Sequence, residues 1–113
     1  MIKRFRIPGD QIRVVAPRRG SCVASDRITV GGERVGFMYR EEPRDKIDSG
    51  WTFLAGTESQ EYLDDPHNLE IYDVNTIANY DADIVPLLDS PVGSAFERSE
   101  AGRLVAVQPP TNE

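Results

Sequence analysis

The stretch on which the fold turns reads Arg27-Ile28-Thr29-Val30-Gly31-Gly32-Glu33-Arg34-Val35-Gly36-Phe37-Met38-Tyr39-Arg40. Two adjacent glycines can both take positive φ, which is what a two-residue hairpin turn requires. On that reading residues 27–30 are an extended piece and residues 33–40 are the strand that returns. Alternation then sets Val35, Phe37 and Tyr39 on one face and Gly36, Met38 and Arg40 on the other.

Outward from this hairpin, residues 21–25 form a short apolar strand holding Cys22, Val23 and Ala24. Residues 41–50 are charged, contain Pro43 and end in Asp48-Ser49-Gly50, the composition of a loop. Residues 51–55 give a third strand, with Trp51 and Phe53 on one face. Thr57 followed by Gln60 matches a capping box, and Glu58 adds negative charge to the first turn of a short helix over 58–63 that stops before Pro66. Asp73 is a second cap, opening a turn or helix in which Val74, Ile77 and Ala78 share a face. Ile84, Val85, Leu87 and Leu88 form an apolar patch broken by Pro86, and residues 94–98 and 103–107 make a hairpin around Glu100-Ala101-Gly102.

Hairpin pairs with one or two short helices between them predict an α+β fold, a single domain with an antiparallel sheet and helices on one face. A doubly wound parallel sheet needs longer crossover helices than these segments offer. A chain of 113 residues supplies one core. The expected organisation is a basic arm or edge hairpin over 1–20, the α+β domain over 21–107, and a loose tail over 108–113 that contains Pro109-Pro110.

The net charge of −6 is unevenly spread. Residues 1–19 carry Lys3, Arg4, Arg6, Arg13, Arg18 and Arg19 against Asp10 alone, a balance of +5, which leaves −11 for the remainder. Between Ile47 and Glu97 there is no lysine or arginine, while eleven carboxylates occupy the span. Such a surface repels nucleic acid and anionic membrane and attracts cationic partners. A single cysteine, the absence of an apolar run after the basic start, and the lack of roughly 20 consecutive apolar residues point to a cytosolic protein.

Catalytic chemistry is hard to build from these residues. Nucleophilic catalysis needs a base beside the nucleophile, but Cys22 lies in an apolar strand and His67 in the turn Pro66-His67-Asn68, so a buried thiol and a surface histidine are expected. No serine stands in a nucleophile elbow, and Gly31, Gly32 and Gly36 match neither glycine-rich phosphate loop. One histidine and one cysteine exclude the usual structural zinc sets. Asp81, Asp83 and Asp89, or Asp64 with Asp65, could offer oxygen to a hard cation, but without the spacing of a calcium loop. No metal or cofactor is therefore expected.

The candidates for recognition lie elsewhere. Trp51 serves either the core or an interface. Tyr62, set among Glu58, Glu61, Asp64 and Asp65, is an aromatic ringed by carboxylates, suited to a partner rich in lysine or arginine. Trp51, Glu58, Glu61, Tyr62, Asp64 and Asp65 together make the expected partner-binding set.

Several runs carry a family resemblance. Residues 36–43 (Gly-Phe-Met-Tyr-Arg-Glu-Glu-Pro) and 48–53 (Asp-Ser-Gly-Trp-Thr-Phe) are followed by Gly56, Glu58 and Glu61-Tyr62. Asp73-Val74-Asn75-Thr76-Ile77, Pro86-Leu87-Leu88 and Pro91-Val92-Gly93-Ser94-Ala95-Phe96 continue the series. Together they resemble domain of unknown function 2185, grouped with immunity protein 33 of bacterial polymorphic toxin systems. The likeness covers residues 21–107 and leaves the first 19 unmatched. It implies a non-catalytic protein that binds and inhibits a cognate toxin, at the toxin's active site or a neighbouring surface. The acidic composition agrees with a cationic toxin. The competing classes are a regulatory or housekeeping module with a small ligand near Trp51, and an enzyme using carboxylates alone.

Overall fold

The computed structural model describes residues 3–110; residues 1–2 of the expected arm and 111–113 of the expected tail lie outside the described residues. The chain forms strands β1 (Ser21–Ser25), β2 (Phe37–Arg40), β3 (Asp48–Leu54), β4 (Leu69–Asp73), β5 (Ala95–Arg98) and β6 (Leu104–Val107). They make one sheet in the order β4-β1-β3-β2-β5-β6. Three short helices, α1 (Asp26–Thr29), α2 (Gln60–Asp64) and α3 (Val74–Tyr80), complete an α+β domain around a single core. No helix among the described residues is long and apolar enough to cross a membrane.

The stretch from Arg27 to Arg40 folds differently from the hairpin reading. Residues 26–29 are one turn of helix rather than an extended strand, capped by Ser25, whose Oγ accepts from Arg27 N–H at 3.1 Å. The two glycines end that helix. Gly31 N–H donates to Asp26 O (2.9 Å), Gly32 N–H to Ile28 O (2.9 Å) and Glu33 N–H to Arg27 O (3.0 Å), with Gly32 at φ +76°. Glycine's access to positive φ is used here in a left-handed helix stop. The β-branched run Ile28-Thr29-Val30 favours a strand locally, but burying Ile28 and Thr29 completely in the core overrides that preference.

β2 accordingly starts at Phe37 and pairs antiparallel with β3 and β5, not with residues 27–30. β3 begins three residues before Trp51, inside the expected loop. Asp48-Ser49-Gly50 looked like a turn because it is an irregularity in the strand: Ser21 pairs with Asp48 but Val23 with Thr52. Gly50 sits there at φ +86°, where a Cβ would lie 2.0 Å from Glu41 O. β1 and β3 run parallel, since α1 and β2 intervene between them; the other four pairings are antiparallel. β4 had no counterpart in the sequence reading, whereas the β5–β6 hairpin and the Asp73 cap of α3 (Oδ1 to Asn75 N–H, 2.8 Å) form as expected.

The sheet has two unlike faces. Cys22, Ala24, Met38, Trp51 and Phe53 point inward, covered by Ile28 of α1, by Val74, Ile77 and Ala78 of α3, and by Ile84 and Leu88 from the 3-10 segment Ala82–Leu87 and its end. The pleat turns the intervening residues outward. Ile71, Val23, Thr52, Tyr39, Ala95 and Val107 are register partners in turn across all six strands. Beside them lies a shorter row of Leu54, Phe37, Glu97 and Val105.

Residues 3–20 contain a 3-10 turn, Gly9–Gln11, and no strand. Two asparagines one turn apart on α3 hold the arm. Asn75 Oδ1 accepts from Val15 N–H (2.7 Å) and Ala16 N–H (2.8 Å), and Asn79 Oδ1 from Arg13 N–H (2.9 Å). Both side-chain amides donate to Arg13 O at 2.8 Å. The arm's charges also meet the acidic body: Lys3 contacts Asp26 and Glu70, and Arg19 contacts Asp89.

Candidate functional site

The helix expected to carry recognition begins two residues later than the capping-box reading. Ser59, not Thr57, caps α2, accepting from Tyr62 N–H at 3.1 Å. Glu58 lies before the cap and turns back, its carboxylate accepting from Ala55 N–H (2.8 Å) and Gly56 N–H (2.9 Å). Partial burial pushes its pKa up, but hydrogen bonds from Ser25, Ala55 and Gly56 outweigh burial and hold it below the ordinary carboxylate value. A lowered folded-state pKa contributes stability above the unfolded pKa and loses it as pH falls through the folded one. Replacing Glu58 with Gln should therefore lower stability near neutral pH by about 1–2 kcal/mol, with the difference from wild type shrinking in acid below about pH 4. Urea titrations of both proteins at pH 7 and pH 3.5 check this; a pH-independent gap would rule out the charge as its source.

The other members of the expected set separate into three groups. Glu61, Tyr62, Asp64 and Asp65 line one open depression with Ser59 and Asn68. Glu58 faces a different hollow, lined by Phe37, Leu54, Gly56, Leu63 and Glu97, where α2 abuts the outer face of the sheet. Trp51 belongs to neither. It is 2% exposed, its indole stacks on Phe53 at 5.9 Å, and its Nε1–H donates to Leu88 O at 3.2 Å. Its ring packs in the core.

Within the depression the four side chains differ in what they leave free. Asp65 caps the 3-10 turn Pro66–Asn68 and accepts from His67 N–H (3.0 Å), a hydrogen bond that, with the His67 ring, lowers its pKa. Asp64 accepts from Gln60 (2.8 Å). Glu61 is exposed and has no partner among the described residues. Tyr62 already holds a cation: the Arg27 guanidinium carbon stands 4.7 Å from its ring centroid. Arg27 Nε is a buried side-chain nitrogen without a hydrogen-bond partner, which fits its place over the ring. One face of Tyr62 is thus closed to a partner's cation, because folding brings α1 against α2 across 35 residues of sequence, from Arg27 to Tyr62.

The residues considered for chemistry are dispersed. Cys22 is buried, and burial first of all pushes its thiol pKa up, while the His67 side chain is 92% exposed. Asp81, Asp83 and Asp89 are each engaged by arginine: Asp81 by Arg98, Asp83 by Arg34 and Arg98, Asp89 by Arg19. No group of three or more histidine, cysteine, aspartate or glutamate side chains arranged to hold a metal occurs among the described residues. Near Trp51, two hollows open at the surface. The lining of one includes Arg18, Arg19, Arg40 and Asp89, and that of the other Val23, Glu41, Glu42, Arg44, Asp48 and Thr52.

Sequence reasoning passed over the outer face of the sheet. Outward positions of a mainly antiparallel sheet with one face packed are ordinarily polar, yet here they include Val23, Phe37, Tyr39, Leu54 and Ile71. The signal was present in the apolar residues at both parities of residues 22–24 and 37–39, but without the pairing order it could not be assembled into a face.

The family model described as the immunity protein Imm33 domain matches residues 22–108. No curated protein and no solved structure matches the chain.

Proposed function

Because the chain belongs to the Imm33 immunity protein family, we propose that it binds a cognate toxin protein and holds it inactive, without catalysis of its own. The toxin presents a cationic surface, and the α2 region contributes to meeting it. One observation supports that placement: Glu61, Asp64 and Asp65 converge with Tyr62 on an open depression, inside a 51-residue span (47–97) free of lysine and arginine. Exposed carboxylates of this kind act on encounter more than on the final complex, since their field steers a basic partner before contact.

The test uses the toxin domain encoded beside this chain. Coexpression of the chain should restore growth to cells producing that domain. Charge reversal in the double variant Glu61→Lys, Asp64→Lys should slow association about tenfold at low salt, flatten its salt dependence and leave dissociation nearly unchanged. Absence of both protection and binding by the wild-type chain would overturn the reading.

A further inference from the structure

We propose that the open outer face of the sheet is the central docking surface for that partner, a protein with a basic surface; this rests on the proposed immunity function and names the surface that serves it. The row Ile71–Val23–Thr52–Tyr39–Ala95–Val107 crosses all six strands without a charged residue. At a strand spacing of about 4.8 Å it runs about 24 Å. With the neighbouring row it covers on the order of 400 Å², about half of what one partner contributes to a standard interface. Ile71 is 67% exposed and Val105, in the shorter row, 44%, while Val23, Thr52, Tyr39 and Val107 are half-buried and Ala95 is buried. All the larger helical packing lies on the opposite face, and α2 covers this one only at its Phe37–Leu54 end. A domain that leaves such a face uncovered carries a binding site or an aggregation liability.

Charge selects the occupant. Glu97 stands in the shorter row without a partner among the described residues, and Glu41, Glu42 and Asp48 rim the hollow beside Val23 and Thr52, where the one arginine, Arg44, is paired with Asp48 at 3.3 Å. The α2 carboxylates flank the other end. No lysine or arginine occupies either outward row. With Arg44 paired to Asp48, the hollow still offers methyl groups of Val23 and Thr52 and the carboxylates of Glu41 and Glu42, which suits the aliphatic stem and charged head of a partner's lysine or arginine. A second copy fits poorly, because a two-fold contact would set Glu41, Glu42 and Glu97 against an equally acidic face. An apolar centre with an acidic rim is the usual anatomy of a protein interface, here biased toward a basic partner.

The experiment measures binding of the same neighbouring toxin domain to Tyr39→Ala, Thr52→Arg and Ile71→Lys, with circular dichroism confirming that each variant is folded. Ile71 is exposed enough that its variant folds in any case. Tyr39→Ala and Thr52→Arg should each weaken binding about 30-fold or more, mainly through faster dissociation, and Ile71→Lys about fivefold to tenfold. Wild-type binding that all three variants reproduce within twofold would overturn the inference while leaving the immunity reading intact. Sensitivity confined to Glu61 and Asp64 would place the interface on α2 alone and overturn it as well. Sedimentation equilibrium should show a monomer; a dimer dissolved by Ile71→Lys would make the face a self-interface and end the proposal. A wild-type chain that neither binds nor protects would remove the immunity reading, and this inference with it.

Discussion

Replacing Arg98 with alanine should cost about 3–5 kcal/mol, the range for removing one partner of a buried ion pair. Arg98 Nη2 meets Asp81 Oδ2 at 2.6 Å, with the two side chains 13% and 4% exposed. The same guanidinium donates from Nε to Val35 O (2.9 Å) and from Nη1 to Gly102 O (2.8 Å). Asp81 in turn accepts from Val35 N–H (3.0 Å) and Asp83 N–H (3.0 Å). One arginine therefore ties β5, the turn before β6, the entry to β2 and the segment after α3. Its loss leaves a carboxylate in the core with two amide donors and no counter-charge. Against a total stability of about 5–15 kcal/mol for a domain, this is a large share. Urea unfolding should show a lower midpoint at unchanged slope. A loss below about 1 kcal/mol would mean that water replaces the guanidinium without penalty. The variant Arg98→Met, which restores volume without charge, should recover little.

Trp51→Ala carries the second large effect, and it separates the two roles that sequence left open for this residue. The indole is buried, stacked on Phe53, and hydrogen-bonded to Leu88 O, with Arg40 over its ring at 5.8 Å. Truncation removes one of the largest fully buried side chains and leaves Leu88 O only the longer hydrogen bond from Arg40 Nη1 (3.4 Å), so a loss of about 3–5 kcal/mol is expected. Trp51→Phe keeps most of the packing and should lose about half as much. Thermal and urea unfolding check both. An interface anchor would behave oppositely, with stability nearly unchanged and the toxin dissociating faster.

Much of the fold was legible wherever the signal was local. Asp73 announces a cap because its side chain reaches an amide two residues on, and Pro66 sets the end of the preceding segment. Glu100-Ala101-Gly102 marks a hairpin whose strands adjoin in sequence. The paired glycines were misread for an instructive reason: positive φ serves a hairpin turn and a helix stop equally, and what decides between them is the burial of Ile28 and Thr29 against strands that come later. The candidate site was legible in composition only. Which carboxylates stay free depends on partners far away in the chain, as with Glu58 folded onto Ala55 and Gly56, or Tyr62 covered by Arg27. The outer face depended on strand order, which no window of the sequence contains.

The placement of β1 between β3 and β4 sets how the molecule must come together. β2 and β3 can pair as soon as they exist, as can β5 and β6, because each pair is close in sequence and closes a short loop. β1 is made before any of them, yet its partners lie 27 residues onward at Asp48 and 52 onward at Asp73, counted from Ser21. The sheet therefore cannot grow strand by strand from the ribosome. β1 waits as an unpaired apolar segment until β3 and β4 are both available, and the pairing of β2 with β5 closes a longer loop still, from Phe37 to Glu97. These two long-range closures, β1 between β3 and β4 and β2 against β5, join the two hairpins and the edge strand β4 into a cooperative unit, and they, rather than the hairpins, set the slow step of folding.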